Sequence, residues 1–280
     1  MSSAEPTIAV FDSGVGGLSV LKALRADMPQ GRFVYLADSG YAPYGERGDA
    51  WVEQRCHEIT EWLLRHHTLD ALVVACNTAT AAAIDRLRAL HPTLPMVGVE
   101  PGLKPAGALT RTGHVGVMAT RGTVRSQRFA GLMHKVNAEL TRPVHWHVRA
   151  CDGLADAIER HDTTRVTQLC AEHTHALMEQ AASQGGVIDV VALGCTHYPF
   201  AANEIQAALG PQVALIDTGP AVARHTRHRL GGLASEPPPS TPPTVTLLTT
   251  GAAADLDRAA HRWLGTQHHS ARAIDLPNRA

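Results

Sequence analysis

Apolar positions in this chain come in two periods. Short unbroken apolar runs alternate with longer stretches in which apolar residues recur three or four positions apart, the marks of buried strands and one-sided helices. Two runs repeat one pattern. Asp70-Ala-Leu-Val-Val-Ala-Cys76 leads into Asn77-Thr78, and Asp189-Val-Val-Ala-Leu-Gly-Cys195 leads into Thr196-His197, with the same Asp-to-Cys spacing in both. Such a run, charged at one end and followed by small polar residues at the other, suits a parallel strand covered on both faces. Ligands of open α/β sheets bind beyond the carboxyl ends of these strands, where each cysteine falls. Two thiols at equivalent positions of related halves can then face one substrate from opposite sides.

Taken in order, residues 7–12 read as a strand that leads into the turn Ser13-Gly14-Val15-Gly16-Gly17, and Leu18, Val20, Leu21 and Leu24 lay one apolar face on the helix that follows. Strand 32–38, a loop with Tyr41, Pro43, Tyr44 and Gly45, and a helix over 49–66 lead into the first cysteine strand. A helix starts at Asn77, so its unpaired N–H groups point where the thiol is and favour an anion there. Strand 96–99 and the crossover Glu100-Pro101-Gly102 follow.

The pattern then restarts: strand 114–119, turn 120–123, helix over 124–140, strand 144–150, helical material from Cys151 to Glu159, and a helix over 164–183. After the second cysteine strand come helix 200–209, strand 212–217, helix 219–230, strand 245–249 and helix 255–264. The proline-rich stretch 235–243 predicts an extended loop, and the tail from Thr266 a poorly ordered end.

This alternation predicts an α/β protein of two doubly wound parallel-sheet domains, related by pseudo-twofold symmetry, with the active site in the cleft between them. Strands remain after the second cysteine motif, so the chain is expected to return to its first domain. That assigns 1–99 plus 212–280 to one domain and 100–211 to the other.

Composition narrows the function. With 44% hydrophobic and 18% charged residues in 280, the chain reads as an ordinary globular protein. A formal net charge of -1 gives no footprint for nucleic acid or an anionic membrane. The N-terminus has no signal-peptide pattern and no segment has the length of a membrane span, so a cytoplasmic location is expected. The 5 cysteines contain no C-x-x-C pair and read as free thiols. Among the 17 histidines, the adjacent pairs His66-His67 and His268-His269 and the pair His225 and His228 lack zinc-ligand spacing, so no metal is expected.

Two opposed thiols suit proton transfer at a stereocentre, a thiolate removing a proton from one face while a thiol supplies one to the other. A free thiol titrates near 8.5, so it needs helpers, and Asp12 and His197 are the candidates. Ser13, Asn77, Thr78 and Thr196, with the helix N-termini, can hold carboxylates and an enolate-like oxygen. As a set, Asp12-Ser13-Gly14 with Gly16-Gly17, Pro43-Tyr44-Gly45, Cys76-Asn77-Thr78-Ala79 and Gly194-Cys195-Thr196-His197 resembles the glutamate racemases, from residue 7 to about 230. The resemblance implies Cys76 and Cys195 as acid/base residues supported by Asp12 and His197. It implies a substrate lined by Asp12, Ser13, Tyr44, Gly45, Asn77, Thr78, Thr196 and His197. It also implies action on glutamate without pyridoxal phosphate or metal, to supply D-glutamate for bacterial peptidoglycan. The only lysines, Lys22, Lys104 and Lys135, lie away from the strand-end clusters, in keeping with that chemistry. Glu159 falls where related sequences often carry a supporting acid, but Asp152 follows Cys151 where many have proline, and Glu159 stays outside the expected site.

Three other readings compete. Gly14-Val15-Gly16-Gly17-Leu18-Ser19 nearly satisfies G-x-G-x-x-G, with Asp38 ending the next strand, as in a dinucleotide-binding oxidoreductase. Ser19 in place of the last glycine, and Asp12 beside the pyrophosphate position, count against it. An aspartate-directed or broader racemase of the same superfamily is the nearer alternative. A non-catalytic regulatory protein, such as a gyrase-interacting one, leaves both thiols without a purpose. A homodimer is expected on symmetry statistics.

Overall fold

Strands that are apolar on both faces need helices on both sides, and the elements fold accordingly. The computed structural model describes residues 5–231, 244–265 and 270–276. The chain forms two units, one of residues up to Val99 together with those from Gly219 onward, the other of Glu100–Thr218.

The first unit runs β1 (Thr7–Asp12), α1 (Leu18–Asp27), β2 (Arg32–Ala37), α2 (Asp49–His66), β3 (Ala71–Val74), α3 (Asn77–Leu90) and β4 (Met96–Gly98). The second runs α4 (Leu103–Leu109), β5 (His114–Ala119), α5 (Arg121–Arg125), α6 (Gln127–Glu139), β6 (His145–Ala150), α7 (Leu154–Glu159), α8 (Thr163–Ala182), β7 (Val190–Gly194), α9 (Ala202–Leu209) and β8 (Ala214–Ile216). The chain returns to the first unit with α10 (Gly219–Arg229), β9 (Val245–Thr249), α11 (Ala253–Leu264) and β10 (Arg272–Ala273).

The first sheet has the order β10-β9-β2-β1-β3-β4 and the second β6-β5-β7-β8. Every pairing is parallel. The two share a core order: the unit's first strand lies between its second and third, and the fourth lies outside the third. In each sheet the connections diverge between first and third strands, leaving a crevice at their carboxyl ends.

Side chains alternate as the strand period demands. In the second sheet Val115, Val117, Val190 and Ala192 pack with Leu103 of α4 and Phe129 of α6. Their neighbours Met118, Val191 and Leu193 pack with Leu169 and Leu177 of α8. In the first sheet Ala9, Phe11, Leu72 and Val74 join residues of α2 and α3, while the intervening Ile8, Val10 and Val73 are also fully buried.

The aspartates that open the two repeated stretches are pins. Asp70 accepts the backbone N–H of Thr7 at 2.7 Å, fixing the start of β1. Asp189 accepts from Thr110 Oγ1 at 2.5 Å and the Arg111 N–H at 2.7 Å, fixing the loop before β5. Each holds the amino end of its unit's first strand, away from the cysteines.

Four expectations need correction. The strand expected in the first domain at 212–217 is β8, which pairs with β7 in the second sheet, so the chain returns at Gly219 rather than at 212. The helix expected over 124–140 is two helices, because Ser126 is extended (φ -70, ψ 143) and its hydroxyl accepts the Phe129 N–H to cap α6. A helix absent from the sequence reading, α4, follows the crossover at 100–102. Part of the tail expected to be poorly ordered forms β10 beside β9, and Leu276 beyond it is buried in the core. The loop expected at 235–243 lies outside the described residues.

Candidate active site

In the first unit, the tips of β1 and β3 bring Asp12, Ser13, Cys76 and Asn77 together. Parallel register sets Phe11 beside Val74, so the next positions meet just beyond the sheet edge. Cys76 caps α3: its sulfur accepts the Ala79 N–H at 3.5 Å. A helix N-terminus and a donated N–H both favour negative charge on that sulfur. The thiol in turn donates to Ser13 Oγ at 3.6 Å, and Ser13 Oγ donates to Asp12 Oδ1 at 3.1 Å. Asp12 is fully buried, and its Oδ1 also accepts the Gly14 N–H at 2.9 Å.

That last bond removes the nucleotide reading. The first N–H of the glycine turn holds a carboxylate of the same chain, where a dinucleotide fold would hold pyrophosphate.

Asn77 stands out in this group. Its side chain is buried, yet neither Oδ1 nor Nδ2 has a hydrogen-bond partner. A buried amide left unpaired costs roughly 1–3 kcal/mol, so its place beside a thiol and a helix N-terminus is what a ligand-binding group looks like. Thr78 is buried next to it.

Tyr44 and Gly45 lie in a 3-10 turn that packs against α3. The Tyr44 side chain is fully buried, and its hydroxyl donates to Asp38 Oδ2 at 2.5 Å. The ring is thus part of the core, so Tyr44 and Gly45 have only their backbone to offer a ligand. Burial, the Asp38 charge and the hydrogen bond to it push the Tyr44 hydroxyl well above its ordinary pKa. Asp38 also accepts two hydrogen bonds from Arg55, at 2.8 and 2.7 Å, and both partners are fully buried.

In the second unit Cys195, Thr196 and His197 follow β7, which pairs with β5 up to Ala119 and Gly194. Thr120, at the tip of β5, caps α5 by accepting the Thr123 N–H. His197 Nδ1 lies 3.7 Å from Cys195 Sγ, and its Nε2 lies 2.7 Å from Glu159 Oε2 at the end of α7. Burial disfavours the imidazolium, but the Cys195 and Glu159 contacts outweigh burial and raise the His197 pKa well above its usual value. Glu159, outside the site expected from sequence, belongs to this group. Its only sequence signal is its place relative to the related chains, because Asp152 disrupts the local motif.

Each thiol is therefore backed by a two-link chain that ends on a carboxylate: Cys76 to Ser13 to Asp12, and Cys195 to His197 to Glu159. The other cysteines are differently placed. Burial pushes the thiols of Cys56, Cys151 and Cys170 up, the last to about 12, and keeps them neutral.

Parallel sheets flanked by helices, with polar clusters beyond the carboxyl ends of their strands, define an α/β protein of the ligand-binding kind. A family model described as Asp/Glu/Hydantoin racemase matches residues 18–226. The glutamate racemase of Methylococcus capsulatus is 44% identical over 232 residues, covering 82% of this chain and 81% of that protein. The crystal structure of a glutamate racemase from Bacillus anthracis superposes with a TM-score of 0.82 at 34% identity, over 98% of this chain and 99% of that one. The Escherichia coli glutamate racemase, solved with L-glutamate and the activator UDP-MurNAc-ala, gives a TM-score of 0.78 at 29% identity, over 97% of this chain and 100% of that one. This chain belongs to the Asp/Glu/hydantoin racemase family and is an isomerase, an amino-acid racemase.

Proposed function

We propose that the enzyme interconverts L- and D-glutamate by direct proton transfer at Cα, with Cys76 and Cys195 as the two acid/base groups. The carrying observation is that a thiol stands at the tip of the third strand of both units, each hydrogen-bonded towards a buried or half-buried carboxylate. In one direction a thiolate takes the Cα proton, and the C–H electron pair moves into the substrate carboxylate as an enolate-like anion. The other thiol gives its proton to the opposite face of that carbon and becomes the thiolate. The reverse direction exchanges the two roles.

Asp12 and His197 support the thiols, with Ser13 and Glu159 as the intermediate or outer link of each chain. Asn77, Thr78, Thr196 and the backbone of Tyr44 and Gly45 hold the substrate, Asn77 through its unpaired amide. The helix N-terminus at Cys76 helps to stabilise the charge that builds on the carboxylate. No cofactor is required by this step. Glutamate as the substrate rests on the relatives at 42–44% identity that bear the name. D-glutamate made here would enter bacterial peptidoglycan, and a homodimer in the cytoplasm is the expected form. All five cysteines are free, which fits a reducing compartment. No helix among the described residues is long and apolar enough to cross a membrane.

Proton NMR of the enzyme with L-glutamate in deuterated buffer, without added cofactor, tests the reading while optical rotation is followed. Loss of the Cα proton signal together with decay of rotation is expected, slower with aspartate. Cys76→Ser and Cys195→Ser should each abolish both changes while circular dichroism stays native. Substantial racemisation in either variant contradicts the two-thiol reaction, and faster turnover of aspartate overturns the substrate assignment.

A further inference from the structure

Away from the strand tips, α2 and α3 bring three metal-ligating side chains together. His57 and Glu61 are four residues apart on α2, the spacing that puts both on one helix face. His91 is the residue that ends α3. One ligand atom from each, two imidazole nitrogens and a carboxylate oxygen, all lie within 4.8 Å of one another. His91 Nε2 is 3.3 Å from Glu61 Oε1. That matches the edge, about 3.3–3.4 Å, of a tetrahedron whose metal–ligand bonds are about 2.0–2.1 Å long.

A second observation comes from the hydrogen bonds. His57 Nδ1 is a buried atom without a hydrogen-bond partner, whereas His91 Nε2 already faces the Glu61 carboxylate as an ion pair. Such an atom needs a partner from outside the chain, and a bound ion is one that fits the His57 nitrogen. Exposure fits as well: the Glu61 side chain is 41% exposed and that of His91 19%, so an ion can enter from solvent and keep water in a fourth position.

We propose that His57, Glu61 and His91 form a binding site for one divalent ion of the zinc class. Two imidazoles and one carboxylate are a recognised three-ligand set for that ion, and a poor one for magnesium or calcium, which prefer oxygen alone. The ion joins the second half of α2 to the far end of α3. The near end of α3 carries the Cys76 cap, so the clip holds from behind the helix that presents the first thiol.

The whole protein, treated with chelator and dialysed, is titrated with Zn2+ while thermal unfolding is followed, and with Co2+ while visible absorption is recorded. A Tm that climbs with Zn2+ concentration is expected, because the ion binds the folded state. Co2+ should develop d–d bands without a thiolate charge-transfer band. His57→Ala and His91→Ala should each remove both responses, and Glu61→Gln should weaken Zn2+ binding by at least about tenfold. If His57→Ala folds poorly, His91→Ala at the helix end supplies the test. The doubly substituted Cys76→Ser/Cys195→Ser protein should keep both responses, which separates this site from metal capture by the thiols. Absence of both responses, their survival in His57→Ala and His91→Ala, or their loss with the thiols overturns the proposal.

Discussion

His197 Nε2 and Glu159 Oε2 lie 2.7 Å apart, which ties the thiol tip of β7 to the end of α7 through a single imidazole. Because the His197 pKa is raised in the fold, its charged form adds stability that is fully present below the unfolded value of about 6.5 and is lost as pH climbs through the raised value. Glu159→Gln removes one of the contacts that raise it. The His197 titration, followed by NMR, should move to lower pH, and the alkaline limb of the kcat profile should move with it. A fall in kcat of roughly 10²-fold is expected for a group that supports acid–base transfer. An unmoved titration would separate Glu159 from the reaction.

Asn77 should show opposite effects on binding and stability. Asn77→Ala removes a buried amide that has no partner in the free protein, so chemical denaturation should show no loss of stability. A hydrogen bond to a charged ligand is worth about 1.5–3 kcal/mol, so kcat/KM for glutamate should fall by roughly 10- to 150-fold. Equal losses in stability and kinetics would instead make Asn77 a structural residue.

Gly17 guards the position of Asp12. A Cβ placed there would lie 2.7 Å from Asp12 Cβ and 3.0 Å from the Tyr35 hydroxyl, closer than packed atoms approach. Gly17→Ala must therefore shift Asp12, and with it the Ser13 hydroxyl that Cys76 donates to. A stability loss of about 1–3 kcal/mol is expected for such overpacking, with kcat lowered more than KM is raised. Steady-state kinetics beside urea denaturation would show it.

Arg55 is buried against Asp38, and its guanidinium also donates to the carbonyl of Leu276 at 3.1 Å and lies over the Tyr41 ring. Removing one partner of a buried pair strands the other charge, at a cost of about 3–5 kcal/mol. Arg55→Met should lower the denaturation midpoint accordingly. The double variant Arg55→Met/Asp38→Asn should recover part of that loss, and no recovery would mean that the pair is not the source.

The strand tips were legible because their signals are local: an apolar run, a thiol, then polar residues that can cap a helix. Asp12, Ser13, Cys76 and Asn77 are brought together by the register of adjacent parallel strands, which follows from the same runs. Glu159 is different, since packing of α7 beside the turn after β7 carries it to His197, and no spacing in the chain encodes that. Tyr44 shows a related limit. A Tyr-Gly motif does not reveal whether ring or backbone faces a ligand, and here the ring is tied to Asp38. The break at Ser126 is hidden because Phe129, Leu132, Met133 and Val136 set a helical period without setting where it starts, and a single hydroxyl cap decides where the helix restarts. His57, Glu61 and His91 carry no sequence signature, because only the first two share a helix.

The second unit is one continuous stretch of chain, whereas the first is finished by its last segments: β9 between β2 and β10, α10 against α1, and Leu276 under Arg55. Protein synthesis releases the chain from its amino end. The sheet that carries Cys195 thus has all its strands in hand while the sheet that carries Cys76 still waits for two of its own. A nascent chain halted before Val245 holds the Cys195 scaffold whole, with the flank of β2 open and the Asp38–Arg55 pair still lacking its C-terminal partner.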